Sequence, residues 1–474
     1  MLLLLMLLPL AAALLALLLP WHQGRSWLLA GCASLHLALC LFAFDRMMPL
    51  GSWFGFDALS HLVLLVTSLL FCGCSFYAVG YFNIHRERGN RVIVFCLLLF
   101  LATMTMAIAA RHFGVLWVAV EGTTLASAPL IYYNRNRLSI EATWKYLLLC
   151  SVGIGLAMVG ILFFAYAALV SQLQPVSLQL DVLLSQAPQL APAWLHAGYA
   201  FLLVGFGTKM GLAPLHSWKP DAYGEAPGLV GALLAGGLTS VAFLAILRAV
   251  QVMTAAGDGP LARQILLVLG LLSLLLAAVF MVRQPDIKRL LAYSSVEHMG
   301  LLAIGIGIGG LATFAALLHL INNALTKGCL FLSAGNIQRA YASKRLSEVR
   351  GALATLPLSG GLFLAGFLAI TGSPPFGPFI SEFTLLRGMM AADRGGIALL
   401  VLVLLALVFV GMAATALTAT QGEAVKLDTP YADRPLLVVP PLCFLLLVLL
   451  LGLYLPEPLQ QALQAAAAVV EVRS

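Results

Sequence analysis

Long apolar runs, each about as long as a membrane is thick, follow one another along the chain with short polar interruptions. An α-helix needs about 20 apolar residues to cross a ~30 Å hydrocarbon layer. The pattern therefore predicts about fourteen spans, near residues 2–19, 27–44, 57–82, 91–109, 112–133, 140–169, 194–218, 228–254, 263–282, 290–309, 312–338, 355–388, 396–420 and 436–455. The longest polar stretches, residues 171–192 and 422–435, read as loops. The opening run lacks the basic start and small-residue cleavage site of a signal peptide, so it reads as the first span. The expected fold class is an all-α polytopic membrane protein.

Two spans carry helix breakers at mid-depth. The seventh contains Gly205, Gly207, Gly211 and Pro214, and the twelfth runs Thr371-Gly-Ser-Pro-Pro-Phe-Gly-Pro-Phe379. Proline removes a backbone donor and clashes with the preceding turn, so unwound backbone is expected in both. Inside a bilayer such backbone must be buried in protein or face water. Broken helices at matching places in two halves point to an inverted-repeat core. Spans 4–8 and 9–13 then form two inverted five-helix repeats with the break in the fourth helix of each. The expected organisation is one membrane domain. Residues 1–90 hold three N-terminal helices, 91–255 the first repeat, 262–421 the second, and 435–474 the last helix and a short tail.

Composition excludes a soluble enzyme: 62% of residues are hydrophobic and 9% charged, where soluble domains carry roughly 25% charged residues. No stretch is left for a dinucleotide, flavin or iron–sulfur domain. The eight cysteines lie in apolar spans with no CxxC pair, as small packing residues do. No His/Cys/Asp set has metal-ligand spacing, and no nucleophile stands beside a base. The glycines of residues 305–310 read as an apolar loop with no strand before it, so no dinucleotide site is expected there. Neither a catalytic residue nor a bound cofactor or metal is expected.

The net charge of +7 comes from the connections. Of 26 Lys and Arg residues, 16 fall in the odd-numbered loops, among them Arg25, Arg86, Arg135, Lys219, Lys288, Arg339, Lys344 and Lys426. By the positive-inside rule both termini lie outside the cytoplasm. The charge thus reports topology, and no nucleic-acid partner is implied.

Glu121, Lys145, Lys209, Lys327 and Glu382 fall inside spans. A charge at the bilayer centre costs roughly 2.5–3.5 kcal/mol on insertion scales, so each needs a partner or water. A Lys–carboxylate pair at ~4 Å and an effective dielectric of ~20 is worth about 4 kcal/mol, or roughly three pH units of proton affinity. Moving one charge then loads or unloads its neighbour. Thr124, at i+3 from Glu121, can share its face. His319, Asn323 and Lys327 recur at i, i+4 and i+8. His216 sits in the first break, and Glu297 and His298 lie at the entry of the tenth span. Asp57 starts the third span, where an acid complements the helix dipole as readily as it carries a proton.

With these residues in view, the stretch Lys209-Met-Gly-Leu-Ala-Pro-Leu-His-Ser-Trp218, continuing to Pro227, resembles a signature of the antiporter-like membrane subunits. Such subunits occur in respiratory complex I, Mrp-type antiporters and membrane-bound [NiFe] hydrogenases. Residues 286–300 and 374–383 resemble two further signatures, and the likeness covers roughly residues 57–390. Within the family, residues 120–127 and 141–146 most resemble the hydrogenase-4 component F type.

The resemblance implies a proton path through Glu121, Lys209, Lys327 and Glu382. It implies partners too: other membrane subunits and a peripheral redox arm holding Ni-Fe and iron–sulfur centres, or flavin and quinone. The implied function is proton translocation in a redox-driven complex of the membrane-bound [NiFe] hydrogenase type; a complex I antiporter-like subunit, Mrp-type cation exchange and inorganic-carbon uptake remain alternatives, as does a structural anchor. A bacterial or archaeal plasma membrane is the expected location. Three departures stand out: Leu238 where relatives have an eighth-span lysine, Asn323 where a second histidine is common, and Lys219 in place of a leucine. Lys327 is then expected to take protons from the Lys209 side, with Asn323 and His319 holding the connecting waters. The short tail argues against the largest complex I subunit, which carries a long lateral helix.

Overall fold

In the computed structural model the described residues are 1–44, 48–50, 53–423 and 431–472. Lys426, counted above among the loop cations, lies outside them. Helices α1 (Leu2–Leu18) and α2 (His22–Ala43) precede an antiparallel hairpin of β1 (Met48–Leu50) and β2 (Phe54–Phe56). Then come α3 (Ala58–Ile84), α4 (Arg91–Ala109), α5 (Phe113–Ile131), α6 (Arg137–Val170) and the short α7 (Leu180–Gln186). The first break separates α8 (Pro192–Met210) from α9 (Trp218–Glu225). Next are α10 (Gly228–Ala232), α11 (Thr239–Ala255), α12 (Gly259–Met281), α13 (Ile287–Ile308) and α14 (Leu311–Tyr341). After α15 (Ala352–Thr355), the second break separates α16 (Pro357–Ile370) from α17 (Gly377–Ala391). The chain continues through α18 (Gly395–Thr420), α19 (Pro435–Leu453) and α20 (Glu457–Val470). Among the described residues eleven helices are long and apolar enough to cross a membrane, and α1 and α16 are shorter apolar helices.

Both interruptions fall where the glycines and prolines predict them. Gly211 ends α8 at φ +78° and Gly372 follows α16 at φ +68°, a left-handed conformation that glycine adopts without a Cβ penalty. The unwound backbone of the first break finds partners inside the protein. Trp218 Nε1 donates to the Thr208 carbonyl at 2.8 Å, and the Ala213 N–H donates to Ser273 Oγ at 2.9 Å. A buried polar backbone is therefore satisfied without lipid contact. Helix α8 is held against α6 backbone to backbone: a Cβ at Gly205 would lie 2.6 Å from the Gly153 carbonyl. Small residues permit that approach in membranes.

The connections gather at two ends. At one, Arg25 Nε donates to Asn90 at 2.7 Å, and Lys344 pairs with Glu225 at 2.7 Å and Asp286 at 3.3 Å. At the other, the Arg111 N–H meets the Trp53 carbonyl at 2.8 Å, and His196 contacts Asp258 at 2.8 Å. Three local expectations change. Residues 171–192 contain α7 and are more than a loop. Gly305 and Gly307 belong to α13, where they let neighbouring helices approach closely; only Gly309 and Gly310 turn. The tail forms α20, whose end is tied to the core by Gln251 donating to the Val469 carbonyl at 2.9 Å and Thr313 donating to Glu471 at 3.0 Å.

Candidate functional site

Glu121 projects from α5 toward α6. Its carboxylate accepts from Ser151 Oγ at 2.8 Å and from Thr124 Oγ1, one turn along the same helix, at 3.1 Å. The same Thr124 oxygen accepts from Lys209 Nζ at 2.8 Å. Lys209 occupies the last turn of α8, just before the break, and has no solvent exposure. Its ammonium also donates to Tyr146 OH at 2.8 Å, and Tyr146 OH contacts Ser127 Oγ at 2.6 Å. Trp218, beyond the break, lies with its ring 5.0 Å from that of Tyr146. A buried ammonium and a carboxylate are thus joined through hydroxyls, which stabilise both charges in a medium where either alone is costly.

A second cluster lies on α13, α14 and α17. Lys327, fully buried on α14, donates to the Leu291 carbonyl of α13 at 3.3 Å. Glu297 on α13 is buried too, its carboxylate 3.8 Å from His298 Nε2. His298 and His319 share a hydrogen bond of 2.9 Å between Nδ1 and Nε2. His319 Nδ1 lies 2.9 Å from Ser381 Oγ, and Glu382 is the next residue on α17. One oxygen of Glu382 is buried without a hydrogen-bond partner among the described residues, as is Asn323 Oδ1. The ordered run is Lys327, Glu297, His298, His319, Ser381 and Glu382. Within this run only His298, His319 and Ser381 are joined by hydrogen bonds, and imidazoles so linked can take up a proton on one side and release one on the other.

His298, His319 and Glu382 also place three donor atoms within 4.8 Å of one another. Sequence spacing suggested no metal set because these donors come from three different helices. One nitrogen of each imidazole is committed to the other ring and His319 Nδ1 to Ser381, while His298 Nε2 and one Glu382 oxygen have no hydrogen-bond partner among the described residues.

Several expectations change here. Lys145 is not a deep charge. Its side chain is 46% exposed and pairs with Glu141 at 2.7 Å and Asp221 at 2.9 Å, with Arg289 on the other Asp221 oxygen at 2.7 Å. Asp57 serves the architecture. It caps α3 by accepting from the Ser60 N–H at 2.8 Å, and it takes a two-pronged contact from Arg248 at 2.6 and 2.9 Å. His216 stays in the break, its ring 6.4 Å from Tyr293, with Nδ1 unpartnered among the described residues. His319 faces Ser381 and Glu382, so it lies beyond Lys327 and does not bridge toward Lys209. Lys219, assigned to a loop, is buried with zero exposure. Leu238 ends a π-helical turn, Leu233–Leu238, between α10 and α11, and is also fully buried. The Thr124 hydroxyl follows from its i+3 spacing to Glu121, whereas those of Tyr146, Ser151 and Ser381 do not follow from the sequence. Tyr146 and Ser381 stand next to a charge in sequence, while Ser151 has no charged residue within a turn.

Interrupted helices around interior acids, amines and imidazoles define a multi-pass membrane protein that keeps ionisable groups inside. The chain belongs to the NADH:quinone oxidoreductase/Mrp antiporter transmembrane family, which matches residues 110–409. It is an antiporter-like membrane subunit of that family. It is 35% identical over 378 residues to a "Hydrogenase-4 component F homolog" of Methylacidiphilum infernorum, covering 78% of this chain and 79% of the relative. The fold superimposes on a chain of respiratory complex I from Thermus thermophilus with TM-score 0.82 and 27% identity, covering 99% of this chain and 100% of that one. A chain of an archaeal membrane-bound sulfane sulfur reductase gives TM-score 0.87 at 21% identity, covering 99% and 97%, a likeness of fold.

Proposed function

We propose that this chain moves protons across the membrane as a subunit of a redox-driven complex of the membrane-bound [NiFe] hydrogenase or formate hydrogenlyase type. One observation carries the reading: Lys209, fully buried, is joined to Glu121 through a single threonine hydroxyl at 2.8 and 3.1 Å. Protonating Glu121 removes the charge that balances Lys209, so the ammonium gives up its proton toward the interior. Restoring the carboxylate draws a proton back onto the amine. The relay runs from there to Lys327 and along the histidines to Glu382.

The hydrogenase-4 relative supports the parent complex. Redox chemistry would then sit in partner subunits, as Ni-Fe and iron–sulfur centres or as flavin and quinone, with the peripheral arm beside other membrane subunits. Residues 91–255 and 262–421 act in this reading as two opposed five-helix repeats, one for each cluster, and both termini face away from the cytoplasm. The test is redox-driven proton uptake by proteoliposomes holding the complex purified from its native membranes. Glu121→Ala and Lys209→Ala are expected to abolish uptake at unchanged assembly. Normal uptake by both would remove them from the path.

An Mrp-type cation exchanger is the second reading, because the family's description includes Mrp antiporters. Sodium efflux that persists without any redox substrate would favour it.

A further inference from the structure

The Glu121–Lys209 cluster and the Lys327–Glu382 cluster are built on different helices, and neither hydrogen-bond series described above reaches the other. Lys219 lies between them. It is the second residue of α9, past the break, with zero exposure, and it forms no ion pair among the described residues. An ammonium held so deep without a carboxylate is costly in any purely structural role. Its surroundings are specific on both sides.

Toward the second cluster, Lys219 Nζ donates to Ser295 Oγ on α13 at 3.1 Å. Ser295 stands one helical turn after Leu291, whose carbonyl receives Lys327 Nζ at 3.3 Å. Residues four apart lie on one helix face, and the Leu291 carbonyl is the partner of the Ser295 N–H in the helix ladder. Two buried lysines from α9 and α14 therefore reach the same turn of α13.

Toward the first cluster, the Lys219 side chain runs across Gly211, two residues after Lys209. A Cβ placed on Gly211 would collide with Lys219 Cδ, Cε and Nζ. Glycine is demanded there twice, by its left-handed backbone and by the lysine it accommodates. Beside Lys219, Trp218 packs on Tyr146, which holds the Lys209 ammonium. The Tyr223 ring lies 5.8 Å from Lys219 Nζ, on an otherwise apolar flank.

We propose that Lys219 is the proton-holding group that connects the Lys209 site to the Lys327 site. The proposal rests on the proton-translocation reading above. Three amines in succession in a low-dielectric interior repel one another when all are charged, so one of them is readily held neutral. A neutral Lys219 accepts through its lone pair. The two amines share no direct contact, so the transfer runs through intervening water: an N–H bond of the Lys209 ammonium breaks, one forms on Lys219, and Lys209 is left as the neutral amine. The same exchange, from Lys219 through the Ser295 hydroxyl and intervening water, then passes the proton to Lys327 and returns Lys219 to its neutral form. No oxidant or other reactant is consumed.

The experiment is redox-driven proton uptake by proteoliposomes of the purified complex at matched assembly, with Lys209→Met alongside as reference. Lys219→Met is expected to lower uptake about 100-fold, the scale of losing a positioned proton-transfer group. Lys219→Gln keeps a polar side chain able to meet Ser295 but holds no exchangeable charge, and should fail equally. It serves as the test if the methionine variant does not assemble. Lys219→Arg keeps a fixed charge that is not released, and it too should fail. Normal uptake by Lys219→Gln or Lys219→Arg would overturn the proposal, showing that packing or fixed charge suffices. If Lys219→Met pumps normally while Lys209→Met does not, the bridge is lost and the translocation reading stands. If Lys209→Met also pumps normally, that underlying reading fails.

Discussion

His298 and His319 share one hydrogen bond of 2.9 Å between α13 and α14, and His319 uses its other nitrogen on Ser381, again at 2.9 Å. In neutral imidazole one ring nitrogen donates and the other accepts. The two rings must therefore agree on tautomer, and a proton arriving at His298 displaces one from His319. His319→Gln keeps hydrogen bonding but cannot exchange tautomers. It is expected to cut proton uptake about 100-fold, consistent with loss of an acid–base group. Uptake at the unmodified rate would place the path outside this histidine pair.

Lys209 contacts Thr124 and Tyr146 through one ammonium, so charge and proton exchange can be separated there. Lys209→Arg keeps the charge in a guanidinium that does not deprotonate. It is expected to pump no better than Lys209→Met in proteoliposomes. Normal pumping by the arginine variant would show that a fixed charge is what the site requires.

Lys327→Met is expected to be as damaging as Lys209→Met, because Lys327 is the buried amine of the second cluster, held on the Leu291 carbonyl of α13. Asn323→His should be tolerated, since the Asn323 side-chain oxygen has no partner to lose among the described residues. Proton uptake at matched assembly compares the three. Unimpaired uptake with Lys327→Met would sink the relay through α14.

Lys145→Ala should leave uptake unchanged. Lys145 and Glu141 are about half exposed and Asp221 partly so, and an exposed salt bridge contributes about 0–1 kcal/mol. A transport defect at full assembly would return Lys145 to the path.

Asp57→Ala should act on stability. The substitution leaves Arg248 buried and uncompensated, together with an uncapped α3. Breaking such a pair costs about 3–5 kcal/mol, seen as a lower unfolding temperature of the purified complex in detergent. The surviving assembled fraction should pump at the normal rate per complex.

Helix positions, both interruptions and the charges at the heart of each cluster follow from the linear pattern because they are local properties. Proline and glycine break a helix wherever it packs, and a lysine flanked by apolar turns is costly in any arrangement. Facing direction is another matter. Lys145 and Tyr146 are neighbours at the same depth, yet Tyr146 meets Lys209 while Lys145 meets the surface acids. Only the packing of α6 on α8 decides which points inward. Lys219 was misplaced because a basic residue after a break resembles a loop cation, and its partner Ser295 is 76 positions away. The Asp57–Arg248 contact spans 191 positions and has no trace in either neighbourhood.

Thr124 carries one hydroxyl hydrogen, and its neighbours dictate where that hydrogen points. The Lys209 ammonium can only donate to it and the Glu121 carboxylate can only accept from it. A proton passing between the two by way of this oxygen leaves the hydroxyl facing the opposite way. The next proton in the same direction must wait until the side chain has turned back. In the proposed proton path, turnover at this junction is thus a two-stroke cycle in which one stroke carries charge and the other only rewinds a rotor. Slowing that rotation, as a bulkier neighbour would, throttles the flow without altering the affinity of any site for its proton.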